Sequence, residues 1–330
     1  MENGLALVTG ANGFIGSHLV RELERSGYKV RGFVLEGTST KSLIGTNCET
    51  FYGDITRRET LESAMKDVSL VFHLAGLVSD YGLTEDFLMI NVHGTANVLA
   101  AAIEHRVKRF VFVSSIAVHP YGFTCGNENM PFSNENNGYI QSKIEAEIMV
   151  RGVNGHAIQT TVVRPGLVVF GPGECLPFLE LVRALEKGRF AYIRKGEMVM
   201  STSYVKNLVY GLRLAAESEN GVGEVFLIAD KNLRWRDFIE MICSRLDIKP
   251  PRVSVPFKLA YGIAFLEESL WRMLQIKNPP TLTRYRISAA GKSTEVSIEK
   301  ARRFIGYEPE IGLDEALYHT FTWYEAQKSK

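Results

Sequence analysis

The chain has 330 residues, of which 45% are hydrophobic and 23% charged, with a formal net charge of +1. Such a composition belongs to a soluble globular protein with a large core. Its dispersed basic residues and near-zero charge argue against a nucleic-acid footprint. The four cysteines, Cys48, Cys125, Cys175 and Cys243, lack metal-ligand spacing, and the seven histidines are scattered. No metal site is expected, and a reduced, cytoplasmic protein is. The chain enters an apolar run directly, without a basic leader, and no stretch reaches about 18 uninterrupted apolar residues.

In chain order, apolar runs predict strands at Ala6–Thr9, Lys29–Val34, Glu49–Tyr52, Leu70–Leu74, Arg109–Ser114 and Gln159–Arg164. Helical patterns fall between them, at Phe14–Ser26, Arg58–Met65, Phe87–His105 and Tyr139–Arg151. Val-, Ile- and Phe-rich strands without polar alternation predict a parallel sheet covered on both faces, hence a doubly wound α/β fold. After Arg164-Pro-Gly the pattern loosens. One more strand, Glu224–Ile228, is expected to return to the sheet, and the rest reads as mostly helical. The expected division is residues 1–170 and 205–230 as a dinucleotide-binding domain. Residues 171–204 and 231–330 then form a smaller substrate-binding part. The apolar segment Phe257–Leu274 reads as core packing in preference to contact with a membrane surface.

The first strand runs into Gly10-Ala11-Asn12-Gly13-Phe14-Ile15-Gly16, and a helix follows. Glycines there permit positive φ and close backbone approach to a pyrophosphate, and the helix N-terminus favours the anion. The spacing is one residue longer at its start than the usual dinucleotide fingerprint. An acid ending the second strand would bond the ribose 2′-hydroxyl of NAD, but Val34 and Leu35 stand there. Glu36 is a candidate for the ribose and Lys41 for a 2′-phosphate. The missing acid favours NADP, with NAD left open. Asp54, with Ile55, is either an adenine contact or a turn residue capping the next helix. Leu74-Ala75-Gly76 ends the fourth strand with residues small enough to let backbone approach the cofactor, while His73 reads as a packed strand residue. Asn91, polar within an apolar helix, implies a buried hydrogen bond that is structural or water-ordering.

Ser114-Ser115 follows the fifth strand, at the end where open α/β sheets bind ligands. Tyr139 and Lys143 lie one helical turn apart, on the same face. A phenol titrates near 10 when free, so a neighbouring ammonium that lowers it would make Tyr139 a usable acid or base.

Together, Thr9-Gly10-x-x-Gly13-x-x-Gly16, Gly53-Asp54, His73-Leu-Ala-Gly76, Asn91-Val-x-Gly94-Thr95, Ser114-Ser115, Tyr139-x-x-x-Lys143 and Arg164-Pro165-Gly166 resemble the extended short-chain dehydrogenase/reductase superfamily. The resemblance covers nearly the whole chain. It implies that Ser115 orients the substrate oxygen, that Tyr139 is the general acid/base, and that Lys143 bonds the nicotinamide ribose and lowers the Tyr139 pKa. It further implies that Asp54 and Ile55 contact adenine and that Pro165 and Val168 pack near the nicotinamide. The segment beginning at Val255-Pro-Phe-Lys resembles the 3β-hydroxysteroid dehydrogenase and dihydroflavonol reductase branch. Ile298-Glu-Lys-Ala-Arg-Arg-Phe-Ile-Gly-Tyr-Glu-Pro309 does so too, and is shared with sugar epimerases. Gly138 where epimerases often carry Pro, Ile116-Ala117 where dehydratases carry acids, and Lys206 where Asp is common are departures that weaken a nucleotide-sugar reading. The resemblance also implies a homodimer formed by the Phe87–His105 and Tyr139–Arg151 helices.

The expected activity is NAD(P)-dependent interconversion of a secondary alcohol and a ketone on a small, largely apolar, sterol- or flavonol-like substrate. The alternatives are a nucleotide-sugar epimerase or dehydratase holding its cofactor tightly, and a non-catalytic NADP-binding sensor or scaffold.

Overall fold

The structure is a computed structural model that describes residues 4–276 and 278–328. Its central sheet has seven parallel strands: β1 (Leu5–Thr9), β2 (Lys29–Leu35), β3 (Glu49–Gly53), β4 (Leu70–His73), β5 (Arg109–Val113), β6 (Gln159–Pro165) and β7 (Val225–Ile228). The spatial order is β7-β6-β5-β4-β1-β2-β3. Strand order reverses between β1 and β4, which opens a crevice at their carboxyl ends.

Side-chain alternation divides the core. Ala6, Val8, Val111 and Val113 meet the Phe14–Arg25 and Val205–Glu217 helices on one face. Leu7, Phe110 and Phe112 meet the Gly94–Glu104 and Gly138–Gly152 helices on the other. Every residue of β4, β5 and β7 is buried, which is why these strands read as unbroken apolar runs.

Three expectations need correction. The helix expected as one piece over Phe87–His105 is a short turn at Thr84–Phe87, a π-helical stretch at Leu88–His93 and an α-helix at Gly94–Glu104. Asn91 lies inside the wide turn, where its side chain bonds outside the helix. The second part is not simply helical. It contains a mixed sheet of Lys231–Arg234, Val199–Tyr204, Thr294–Val296 and Phe123–Gly126, with Val168–Phe170 also paired to Val199–Tyr204. Two of these strands come from the segment assigned to the dinucleotide domain. Conversely, Ala301 and Ile305 from the late chain pack in the core of the seven-stranded sheet, beside β7. The boundary at residue 170 therefore does not follow the packing.

The third correction concerns the helix at Phe257–Met273. Only Ala260, Ala264 and Glu268 of it are buried. Leu259, Ile263, Leu266, Leu270 and Met273 face outward, so it is not a core helix. Among the described residues one helical stretch, Thr84–Glu104, is long and apolar enough to cross a membrane. Its Val98, Leu99, Ala101 and Ala102 are packed in the core under the sheet.

Candidate active site

The glycine turn is built for close approach. Gly10 has φ +69°, and a Cβ there would lie 3.0 Å from the Ala75 nitrogen. A Cβ on Gly16 would sit 2.1 Å from the Gly10 carbonyl, so only glycine lets the helix start against the turn. Gly13 is the N-cap of the Phe14–Arg25 helix and supplies no side-chain cap. The first-turn amides of that helix are thus left without a protein cap at the mouth of the crevice, where a pyrophosphate fits. Asn12 does not point into the crevice. Its Nδ2 donates to Thr38 Oγ1 at 2.9 Å and to the Ser39 carbonyl at 3.0 Å, fixing the loop after β2. Phe14 packs edge-on against His18, whose ring bonds the Pro172 carbonyl at 2.7 Å.

At the end of β2, Glu36 is exposed and pairs with Arg57 at 3.6 Å. Arg57 went unnoticed in the sequence. It lies three residues beyond Asp54, which is itself a turn residue here. Asp54 Oδ1 accepts the Thr56 amide and hydroxyl, both at 2.8 Å. Ile55 is buried beneath Gly94, where a Cβ would come within 2.7 Å of it. Lys41 stands exposed in a short 3-10 turn, Lys41–Leu43.

Between the strands, the amides of Leu74 and Ala75 both donate to Thr9 Oγ1, at 3.2 and 3.1 Å. The single Thr9 proton therefore goes to His73 Nδ1, 2.7 Å away. His73 Nε2 carries the ring proton and donates to Thr95 Oγ1 at 2.9 Å. With both nitrogens engaged and burial lowering its pKa to about 3, His73 is a neutral strut. Asn91 Oδ1 accepts the Leu77 amide at 2.7 Å, and its Nδ2 donates to the Leu77 carbonyl at 3.0 Å and to Ser142 Oγ at 2.9 Å. It pins the segment after Gly76 to the helix that carries Tyr139. A Cβ on Gly76 would meet Asn91 Oδ1 at 2.8 Å.

Ser114 and Ser115 part company because neighbouring strand residues face opposite sides. Ser114, expected at the nicotinamide crevice, turns inward and donates to Glu147 Oε2 at 2.7 Å. Ser115 faces the crevice. Its hydroxyl accepts the Ala117 amide at 3.1 Å and hydrogen-bonds the Tyr139 phenol. Pro165 ends β6 beside Ile228, and Val168 is half-buried at the start of its strand.

The electrostatics of Tyr139 differ from expectation. Burial raises its pKa above 10, and the Ser115 hydrogen bond opposes that rise. Lys143 does not supply the expected downward pull. Its Nζ donates to the Val113 carbonyl at 2.6 Å and lies 4.5 Å from the centre of the Phe112 ring. Burial lowers the Lys143 pKa to about 8, and Glu147 partly restores it. In this geometry Tyr139 is a protonated phenol at neutral pH, an acid ready to donate.

Several residues of the site were missed in the sequence. Glu147 lies two turns beyond Tyr139 and one beyond Lys143, so helical spacing could have found it. It forms a fully buried ion pair with Arg164, with Arg164 Nε 3.0 Å from Glu147 Oε2. Arg164 also donates to His119 Nε2 at 2.7 Å, which leaves Nδ1 to donate to the Pro131 carbonyl at 2.9 Å. Tyr121 and Tyr285 carried no local signal. Their rings meet edge-on at 5.9 Å, and Tyr285 meets Tyr139 at 6.4 Å. Burial raises the pKa of both. Phe87, Ala117 and Ile140 complete the cluster, with Leu77, Leu167 and Ala289 at its margin. The start of the helix that carries Tyr285 is tied down by Asp80, which accepts from Thr283 Oγ1 at 2.7 Å and Arg286 Nε at 2.5 Å.

Residues 6–229 match the model of the NAD dependent epimerase/dehydratase family. The chain belongs to that family. Within it, the chain is 32% identical over 314 residues to a 4-hydroxy-2-methyl-3-oxo-4-farnesyl-3,4-dihydroquinoline-1-oxide ketoreductase of Stigmatella aurantiaca, covering 94% of this chain and 93% of that protein. It is 31% identical to the decarboxylating sterol-4-alpha-carboxylate 3-dehydrogenase of Mus musculus, covering 95% and 89%. A solved epimerase, Mth375 of Methanothermobacter thermautotrophicus, superposes with a TM-score of 0.82 over 99% of this chain and 94% of that one. At 23% identity it shows the fold alone. This family member is a nicotinamide-dependent oxidoreductase of the extended short-chain dehydrogenase/reductase type.

Proposed function

We propose that this enzyme interconverts a ketone and a secondary alcohol on a small, largely apolar molecule, acting as a reductase when the cofactor is reduced. The observation that carries the reading is the setting of Tyr139. Its buried, protonated phenol bonds Ser115 and lies among Phe87, Ala117, Tyr121 and Tyr285. The two relatives described above are named as the ketoreductase of a farnesyl-bearing dihydroquinoline oxide and as a sterol-4-alpha-carboxylate 3-dehydrogenase, which supports the reading.

The glycine turn fits a dinucleotide, with Gly10, Gly13, Phe14, Ile15 and Gly16 at the pyrophosphate and Ala75 and Gly76 along its edge. When bound, the nicotinamide supplies or takes the hydride. Tyr139 donates its proton to the carbonyl oxygen, and Ser115 hydrogen-bonds the same oxygen and holds the carbonyl near the phenol. Lys143, cationic below about pH 8, keeps positive charge one turn away. The aromatic cluster excludes water and packs the apolar body of the substrate. General acid–base help of this kind is worth roughly 100- to 10,000-fold in rate.

NADP is the preferred cofactor in this reading. No acid ends β2, and the carboxylate nearest it, Glu36, is engaged by Arg57. A homodimer through the Leu88–Glu104 and Gly138–Gly152 helices is supported by Met89 and Ile148, which stand exposed on them. The four free cysteines support a reducing, cytoplasmic setting.

The test is cofactor oxidation by the purified protein, with NADPH and NADH in parallel, across long-chain and polycyclic ketones and a set of nucleotide sugars. Turnover with apolar ketones and a preference for NADPH are expected. Epimerised nucleotide sugar without net cofactor oxidation would establish the epimerase reading instead. Cofactor binding without turnover of either set would establish a sensor.

A further inference from the structure

Among the described residues, five buried side-chain polar atoms have no hydrogen-bond partner: the hydroxyls of Tyr121, Tyr192, Tyr204 and Thr294 and the indole nitrogen of Trp235. Tyr192, Tyr204 and Trp235 pack in the apolar core of the second part. Tyr121 alone of the five lies in the cluster around the catalytic phenol, where it is 7% exposed. A buried donor left unpaired costs free energy, so its presence beside a reacting group calls for a partner that arrives from outside.

The local chain explains why this hydroxyl stands there. Ser115 caps the Ile116–Val118 turn at the end of β5, and Tyr121 follows that turn by three residues. One short segment thus carries both the hydroxyl that bonds Tyr139 and the unpaired one. The Tyr121 ring meets that of Tyr285 edge-on at 5.9 Å, and Tyr285 meets Tyr139 at 6.4 Å. The Tyr285 hydroxyl lies near that of Tyr121, but the two are not aligned for a hydrogen bond. Lys143 faces Phe112 and the Val113 carbonyl and has no place in this group.

The chemistry of the missing partner follows from its surroundings. Burial holds both phenols protonated at neutral pH, so Tyr121 offers a proton and needs an acceptor. The Glu135 carboxylate acts on both phenols and Asp80 on Tyr285, in each case against negative charge. A neutral oxygen therefore fits better than an anion. Ring spacings of 5.9 and 6.4 Å suit an oxygen a few carbons from the reacting carbonyl, not one at the far end of a long substrate.

We infer that the Tyr121 hydroxyl, its ring packed on Tyr285, hydrogen-bonds a second, neutral oxygen of the substrate a few carbons from the ketone. Tyr121 is thereby the residue that selects oxygenated ketones over simple ones. The inference rests on the ketone reading above and narrows its substrate class.

The experiment measures oxidation of the reduced cofactor with matched pairs of medium- and long-chain substrates. Each pair is a 3-oxo ester and the ketone in which two methylenes replace the ester CO–O. Comparing Tyr121→Phe with wild type cancels the greater electrophilicity of the esters. The ratio of kcat/KM, ester over ketone, is expected to fall at least about tenfold in Tyr121→Phe, because a site built to bond an oxygen rejects the analogue that lacks it. The phenylalanine ring keeps the packing and removes the unpaired donor, so the thermal midpoint should hold or rise. Tyr204→Phe removes an unpaired hydroxyl outside the cluster and should leave the ratio unchanged. An unchanged ratio in Tyr121→Phe overturns the inference and leaves the ketone reading standing. An equal fall in Tyr204→Phe overturns it as well. So does a lowered midpoint in Tyr121→Phe, which would show the hydroxyl already satisfied in the empty enzyme. A wild type that turns over neither member of any pair sinks the ketone reading and the inference together.

Discussion

Tyr139 and Lys143 share a helix face, yet their electrostatic relation is decided by what lies across from them. Val113 offers a carbonyl to the ammonium, and Ser115 offers a hydroxyl to the phenol. Glu147, one turn further along, acts on both sides of the site. It raises the Lys143 pKa and neutralises the buried Arg164 guanidinium. Glu147→Gln should therefore do two things. Removing the carboxylate lets the Lys143 pKa fall below about 8, so the alkaline limb of kcat/KM should move to lower pH. Leaving Arg164 buried without its partner should cost about 3–5 kcal/mol, read as a lower urea midpoint. An unmoved limb would mean that Lys143 does not set it. The glycine turn, Ser115 and the Tyr139/Lys143 pair were legible because each is a local pattern. Glu147 was available on the same helical spacing. Tyr285 was not, because its place beside Tyr139 depends on a chain separation of more than a hundred residues.

Elements position the site through a few close approaches. The Phe14–Arg25 helix can start on the glycine turn only because Gly16 has no side chain; an added Cβ would collide with the Gly10 carbonyl. Gly16→Ala should weaken NADPH binding by at least tenfold in calorimetric titration. Gly152 serves as a control, because a Cβ there meets nothing within 4 Å. Gly152→Ala should leave binding unchanged and stabilise by up to about 1 kcal/mol through helix propensity. Equal effects of the two substitutions would show that the turn is not the cofactor cradle. The π-helical stretch at Leu88–His93 could not be read from apolar periodicity. It arises where Asn91 leaves the helical pattern to bind Leu77 and Ser142. The strand Phe123–Gly126 was also hidden, since it is paired with Thr294–Val296 far along the chain.

Over the whole molecule, the sheet strands were legible because parallel strands buried on both faces leave unbroken apolar runs. The second part was not, because its sheet is assembled from five distant segments and one of its apolar helices, Phe257–Met273, faces outward. Buried titratable groups give the molecule a defined response to acid. His18, His73 and His119 are held neutral by burial, with pKa values lowered to about 4, 3 and 4 from 6.5. Below pH 6.5 the unfolded chain takes up protons that the folded one refuses, so this stability is complete above 6.5 and lost as pH falls towards 4. Asp230 works the other way. Burial raises its pKa from 3.8 to about 7, so its contribution is present below 3.8 and lost as pH rises through 7. Three histidines outweigh one carboxyl, and the urea midpoint should fall between pH 6.5 and 4. A flat or rising midpoint over that interval would show that the three rings are not buried neutral.

The account centres on a buried phenol that protonates a ketone among apolar side chains. It is tested most directly by turnover of Tyr139→Phe on the best apolar ketone, measured beside NADPH binding by the same protein. We predict a loss of at least about 100-fold in kcat with cofactor affinity unchanged. Wild-type turnover by Tyr139→Phe on that ketone would contradict it.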